Sequence, residues 1–206
     1  MSRRKIAVVV AVLFFIQMVT YMFGAAVIQR FESGDATRDS LTLGVMLTTC
    51  SGIAVVGIGL LMYQVLKDVD RRLAIWYPVL RVVEFTASTA FGAYLLIQEQ
   101  AVPHQHLWVY IPTGIGGLVL TYLLFVSRLV PRTIAVLGMV GYGSLLLAVP
   151  LDLSGVIDTN QGVGLAFLAP GGLFEVLVFP LWLLVRGFNR PTAAAQRTTP
   201  AFATTS

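Results

Sequence analysis

The chain predicts an all-α, polytopic integral membrane protein, a bundle of six transmembrane helices with both termini cytoplasmic. Three observations predict it. Of its 206 residues, 57% are hydrophobic and 12% charged, whereas soluble domains run at roughly 45–50% and about 25%. The mean hydropathy is +0.83. Six segments stay apolar over about the 20 residues a helix needs to cross hydrocarbon: Ile6–Val27, Leu43–Leu66, Leu73–Ile97, Leu107–Val126, Ile134–Val149 and Val163–Val185.

The first segment follows Arg3, Arg4 and Lys5. It exceeds the ~7–15 residues of a signal-peptide core, so it is expected to be a retained helix. It carries Gln17 and Tyr21 one turn apart, with Gly24 beyond. The second holds Thr48, Thr49, Cys50 and Ser51, small residues suited to close packing. A lone cysteine allows no intrachain disulfide framework and no Cys-based metal cluster. The third is interrupted by Arg81 and Glu84. His104 and His106 precede the fourth and read as interfacial histidines near Trp108 and Tyr110. A metal site there would need Glu99 or an outer-loop Asp to complete its shell.

The fourth segment contains Gly114-Ile115-Gly116-Gly117, a packing feature within an apolar helix. The fifth is the shortest and contains Gly138, Gly141 and Gly143. The sixth contains Ala169-Pro170-Gly171-Gly172-Leu173-Phe174-Glu175. Proline frees a helix carbonyl and glycine permits an opened or closely packed backbone. A break one turn before an acid suggests a cavity wall, and a packing kink is the plainer alternative. Trp76, Tyr77, Trp108, Tyr110 and Trp182 lie near segment ends, where aromatic belts form. Residues 1–188 thus make the membrane domain. Residues 189–206, rich in Thr, Ala, Pro and Gln, are expected to form a disordered cytoplasmic tail.

Orientation follows from the cations in short loops. Arg3, Arg4, Lys5, Lys67, Arg71, Arg72, Arg128, Arg132, Arg186, Arg190 and Arg197 share one side. The other carries only Arg30 and Arg38, beside several acids. The cation-rich side is therefore expected to face the cytoplasm. The net charge of +4 is spread along the segment ends rather than gathered in a stripe, which argues against a nucleic-acid partner.

A charge at the bilayer centre costs between about 2.5 and 17 kcal/mol, and by default marks function. Counted at 1.5 Å per residue, Glu84 lies ~18 Å above Arg72 and Glu175 ~16 Å above Arg186. Both carboxyls are thus expected near the midplane. Tyr77, Arg81, Glu84 and Ser88 share one helix face and form a polar seam that must point inward. One arginine neutralises one carboxylate, so a second Glu sharing the site is expected to hold its proton and serve as a donor. Arg81, Glu84 and Glu175 are therefore the candidate catalytic groups. Tyr77, Ser88, Gln17, Tyr21 and Phe174 are the candidate substrate-binding residues. The plainer reading makes Arg81 and Glu84 a structural ion pair. No metal or other cofactor is expected. The chain has no phosphate-binding loop, nucleophile elbow, zinc-helix motif or dinucleotide fingerprint.

Four motifs in order carry a resemblance: Arg81-Val82-Val83-Glu84, Ser127-Arg128-Leu129-Val130-Pro131-Arg132, Pro170-Gly171-Gly172-Leu173-Phe174-Glu175, and Trp182-Leu183 with Arg186-Gly187-Phe188-Asn189. With them the chain resembles a bacterial family known as domain of unknown function 4386, from the first helix to Asn189. Thr133 stands where many relatives have Trp. The resemblance implies a multi-helix protein of the bacterial inner membrane and supplies no activity. Three functions compete. One is a membrane-embedded enzyme that protonates an isoprenoid or lipid, in the style of a terpene cyclase. Another is a proton-coupled transporter, which with six short helices would call for a homo-oligomer. The last is a non-catalytic membrane subunit. An enzyme predicts a closed lipophilic cavity around the acids, a transporter a water path to both faces, a scaffold no cavity.

Overall fold

The computed structural model describes residues 2–189; the expected tail lies, apart from Asn189, outside them. Every element among these residues is helical. Six helical segments are long and apolar enough to cross a membrane: Arg3–Glu32, Arg38–Leu66, Arg71–Gln98, Gln105–Ser127, Arg132–Leu153 and Gly162–Val185. Each overlaps one expected segment. The fifth reaches 22 residues, longer than its central apolar stretch suggested, because Arg132 and the Pro150-Leu151-Asp152-Leu153 turn extend it at both ends.

Local chemistry sets the helix ends. Ser2 caps α1 (Arg3–Glu32) by accepting from the Lys5 amide, and Thr37 caps α2 (Arg38–Leu66) through the Ser40 amide. Asp70 accepts from the Arg72 and Leu73 amides to start a single turn, α3 (Arg71–Ala74). The third span breaks at Ile75 before α4 (Trp76–Gln98). Pro78 explains the break, because it has no N–H to donate to the Ala74 carbonyl. Arg128, in the left-handed region, ends α5 (Gln105–Ser127), and Pro131 precedes α6 (Arg132–Leu153).

The sixth span is three elements rather than one helix. α7 (Gly162–Leu173) runs into a π-helical turn, Phe174–Val178, and continues as α8 (Phe179–Val185). A π-turn inserts one residue into the helical ladder. It follows directly on Pro170-Gly171-Gly172, and it carries Glu175.

The helices form a ring. α1 packs along α2, α2 along α4, α4 along α5, α5 along α6 and α6 along α7; α8 and the π-turn close back onto α1. The first and last described residues, Ser2 and Asn189, lie at one end of the ring, the proximal end. There Arg4 donates to the carbonyls of Leu183 and Leu184, at 3.3 and 2.6 Å, satisfying the end of α8. Asn189 donates to the carbonyls of Leu129 and Arg128, at 2.8 and 3.1 Å. The Ser127–Arg132 and Arg186–Asn189 motifs thus meet in one clamp.

Above that clamp the proximal half is filled. Phe14 meets Phe179 edge-on at 5.5 Å, and Phe179 stacks on Phe174 at 5.0 Å. Ile58, Met62, Leu120 and Leu124 complete the plug. Val19, Met22, Phe23, Leu43, Met46 and many other apolar side chains point outward, more apolar surface than a soluble monomer exposes. This outer face suits lipid.

Small residues set the closest crossings. Gly141 of α6 lies against the backbone of Gly171 in α7, and Gly117 of α5 lies under the Tyr142 ring. A Cβ at Gly141 would meet backbone that has nowhere to move, whereas a Cβ at Gly143 meets nothing within 4 Å. Gly141→Ala is therefore expected to destabilise by about 1–3 kcal/mol, the cost of overpacking. Gly143→Ala should be neutral or stabilising by up to about 1 kcal/mol. Thermal melting of the two variants in detergent checks the contrast.

Candidate functional site

At the centre of the ring sits Arg81, buried to 3% exposure. Gly59 of α2 packs on its side-chain stem. Its guanidinium carbon lies 5.1 Å from the centre of the Tyr77 ring, a cation–π contact. One terminal nitrogen donates to Glu84 at 2.7 Å, one helical turn along. The other lies 3.5 Å from Glu175 and 3.4 Å from the Tyr142 hydroxyl. The Tyr142 hydroxyl in turn donates to Glu175. Three elements converge here: α4 supplies Arg81 and Glu84, α6 supplies Tyr142, and the π-turn supplies Glu175.

Without the π-turn, Glu175 would lie elsewhere. Each residue of an α-helix turns the side-chain direction by about 100°, so one inserted residue re-aims everything after it. Glu175 sits within that turn, where the ladder is widened beside Arg81. π-turns recur at functional sites for this reason.

The carboxyls face a cavity of about 500 Å³. Glu84 and Glu175 form part of its wall, as do Gln17, Tyr21, Ser51, Ser88, Tyr110, Thr113 and Tyr142. The rest of the lining is apolar, including Met18, Val55, Phe85, Leu145, Leu165, Leu168 and Val176. Arg81 does not reach the cavity; it lies behind the acids. A few convergent polar groups in an otherwise apolar wall of this size is the make-up of a small-molecule site.

The candidates from sequence thus divide. Glu84, Glu175, Ser88, Gln17 and Tyr21 line the cavity, and Arg81 ties the two acids together. Tyr77 and Phe174, expected to touch a ligand, do not line it. Tyr77 is fully buried beneath the guanidinium, and Phe174 is fully buried between Tyr142 and Phe179. A shared helix face told which way they point but not what covers them. Tyr142, Tyr110 and Thr113 were missed as cavity residues. For Tyr142 the signal was its setting, a lone tyrosine between Gly141 and Gly143 deep in an apolar span.

The two histidines sit at the distal end, His104 just before α5 and His106 in its first turn. His106 Nε2 lies 3.1 Å from the Thr159 hydroxyl, and His104 Nδ1 lies 3.5 Å from Asp152. Asp152 also accepts from the Thr159 amide and hydroxyl, both at 2.7 Å. These contacts staple the α4–α5 loop to the α6–α7 loop. Among the described residues no cluster of three or more His, Cys, Asp or Glu is placed to hold a metal ion.

The charge balance is simple. Two carboxyls face one guanidinium, so the set is electrically neutral when the carboxyls share one proton between them. A neutral carboxyl beside an ionised one can donate and take back a proton.

A family model described as Domain of unknown function (DUF4386) matches residues 92–187. The match is narrower than the resemblance expected from sequence, which reached back to the first helix. It contains Tyr142 and Glu175 and stops short of Arg81 and Glu84. No curated protein and no solved structure matches the chain.

Removing Arg81 alone leaves two buried carboxyls facing each other. Arg81→Met is therefore expected to cost about 3–5 kcal/mol, while removing the whole charged set is often nearly neutral. Arg81→Met combined with Glu84→Gln and Glu175→Gln should recover much of the loss. Detergent melting curves of the single and triple variants decide it; a triple variant no better than the single one would remove the charge set as the cause.

Proposed function

We propose that this DUF4386-domain membrane protein is an intramembrane acid catalyst acting on an unsaturated lipophilic substrate. One observation carries the reading: two carboxyls that share one guanidinium, Glu175 also accepting from the Tyr142 hydroxyl, face a 500 Å³ cavity with largely apolar walls.

In this mechanism the shared proton leaves a carboxyl oxygen and bonds to one alkene carbon. The neighbouring carbon becomes a cation, and the other carboxylate faces it across the site. Phe85 and Tyr110 offer aromatic faces in the same wall, and such faces stabilise cations. A proton from the next carbon then returns to the carboxylate. If a second double bond attacks the cation first, a ring closes before that loss. Either way the product is an isomer of the substrate and the acid pair is restored. Nothing else is consumed.

A proton-coupled transporter is the alternative. In its favour, Pro78 precedes Glu84 in the third span much as Pro170 precedes Glu175 in the sixth. The filled proximal half, with Phe14, Phe174 and Phe179 stacked beneath the acids, favours a one-sided pocket over a path to both faces.

We place the protein in the bacterial cytoplasmic membrane with both termini inside, on the cation bias of the short loops. A fluorescent reporter fused after Asn189 should then fold and emit. Alkaline phosphatase inserted at Gly34–Thr37 should be active. The opposite pattern reverses the orientation.

The chemistry is tested in deuterated water. Protein in lipid nanodiscs, incubated with prenols of 15 and 20 carbons, should place deuterium on substrate carbon. Glu84→Gln and Glu175→Gln should each lose about a hundredfold or more, the usual contribution of a positioned acid. Folded wild-type protein that incorporates no deuterium into any of these alcohols would refute the acid chemistry.

A further inference from the structure

The cavity has a mouth, and its position says where the ligand comes from. Among the lining residues, Tyr21 of α1 is 47% exposed and Leu165 of α7 58% exposed; Ala169 and Gly172 of α7 are also exposed. On the far wall Ser51, Val55, Gly141 and Tyr142 are buried. The opening therefore lies between α1 and α7. This is the gap in the ring. α1 meets the sixth span through α8 and the π-turn, while α7 packs on α6 and the π-turn, so the two helices part above the π-turn.

The depth of that gap is the informative point. Tyr21 lies 11 residues before the end of α1, and Gly172 lies 10 residues into α7. At 1.5 Å per residue both are about 15 Å below the distal end. Leu165 is about one turn below it. The mouth thus runs from mid-depth to near the distal interface, entirely within membrane-spanning segments. It faces hydrocarbon rather than water.

Charge narrows the ligand. Among the described residues no Lys or Arg lines the cavity, and Arg81 is shielded by the two acids. A phosphate or carboxylate head would meet carboxylates with no cation to pair it. An alcohol, in contrast, can donate to a carboxylate and accept from Ser88 or Tyr110. We infer that the ligand is a neutral long-chain alcohol that enters sideways from the distal leaflet, between α1 and α7. This inference rests on the acid-site reading for its unsaturated chain, but not for its route.

The test uses a trace of a diazirine-bearing geranylgeraniol analogue with the full chain in nanodiscs, with labelled peptides identified by mass spectrometry. Label that excess geranylgeraniol competes away should fall on peptides holding Met18–Tyr21 and Leu165–Gly172. Geranylgeranyl phosphate should compete at least about tenfold less well. Ala169→Trp, which narrows the mouth, should cut the competed label about tenfold; Leu165→Trp serves if that variant fails to fold. Leu147→Trp, on the outer face of α6 at 60% exposure, should leave it unchanged. Competed label confined to the 99–104 and 154–161 loops would overturn the proposal, as would equal competition by the phosphate or indifference to both mouth variants. Competed label at α1 and α7 without deuterium incorporation would uphold the lateral route while sinking the acid chemistry, so the two failures are distinguishable.

Discussion

The centre of this bundle answers to one constraint: a guanidinium that cannot lose its charge is almost fully buried among membrane-spanning helices. Arg81 is protonated under any ordinary condition, and hydrocarbon offers nothing to solvate it. Its partners must therefore come from the protein. One comes from its own helix, Glu84. Glu175 and Tyr142 come from the last span and from α6. To bring those two in, the chain must cross itself closely. Gly117 makes room for the Tyr142 ring, Gly141 lets α7 approach α6, and Gly59 admits the Arg81 stem. These three glycines thus serve the charged site.

The same constraint divides the bundle along its length. On the termini side of Arg81 the ring is sealed by Phe14, Phe174, Phe179 and their aliphatic neighbours, and the Arg4 and Asn189 clamp ties the chain ends to it. On the other side the helices part around a cavity. A packed lower half beneath an open upper half is the division that the proposed site calls for. The polar groups must be held to fractions of an ångström, whereas the passage leading to them need only let a chain through.

How much of this was legible in the sequence differs from residue to residue. The spans were legible because a run of about twenty apolar residues has few other uses. The level of the two acids was legible too, since helix rise is constant, and Glu175 does come within 3.5 Å of Arg81. The π-turn was foreshadowed only as a break, because proline and glycine announce departure from an α-helix without saying which departure. Tyr77 and Phe174 were placed on a plausible face, yet lie in the packed core. Which neighbour covers a face depends on crossing angles that one helix does not encode. Tyr142 was missed because a lone tyrosine in an apolar span reads equally as belt, core or site.

The pairing of Arg81 with Glu84 on a single helix bears on biosynthesis. Membrane helices enter the bilayer in the order in which they are made, amino-terminal first. The third span thus leaves the ribosome long before α6 or the π-turn exists. An arginine and an acid each cost roughly 2.5–3.5 kcal/mol at the centre of an inserting helix. Separated along the chain, they would have to wait uncompensated in lipid. One turn apart, they neutralise each other at once, and the helix arrives as a nearly neutral unit. Glu175 follows last and closes around a pair already made. Arg81 thus carries its counter-ion on its own helix, and the cavity is completed only with the final span.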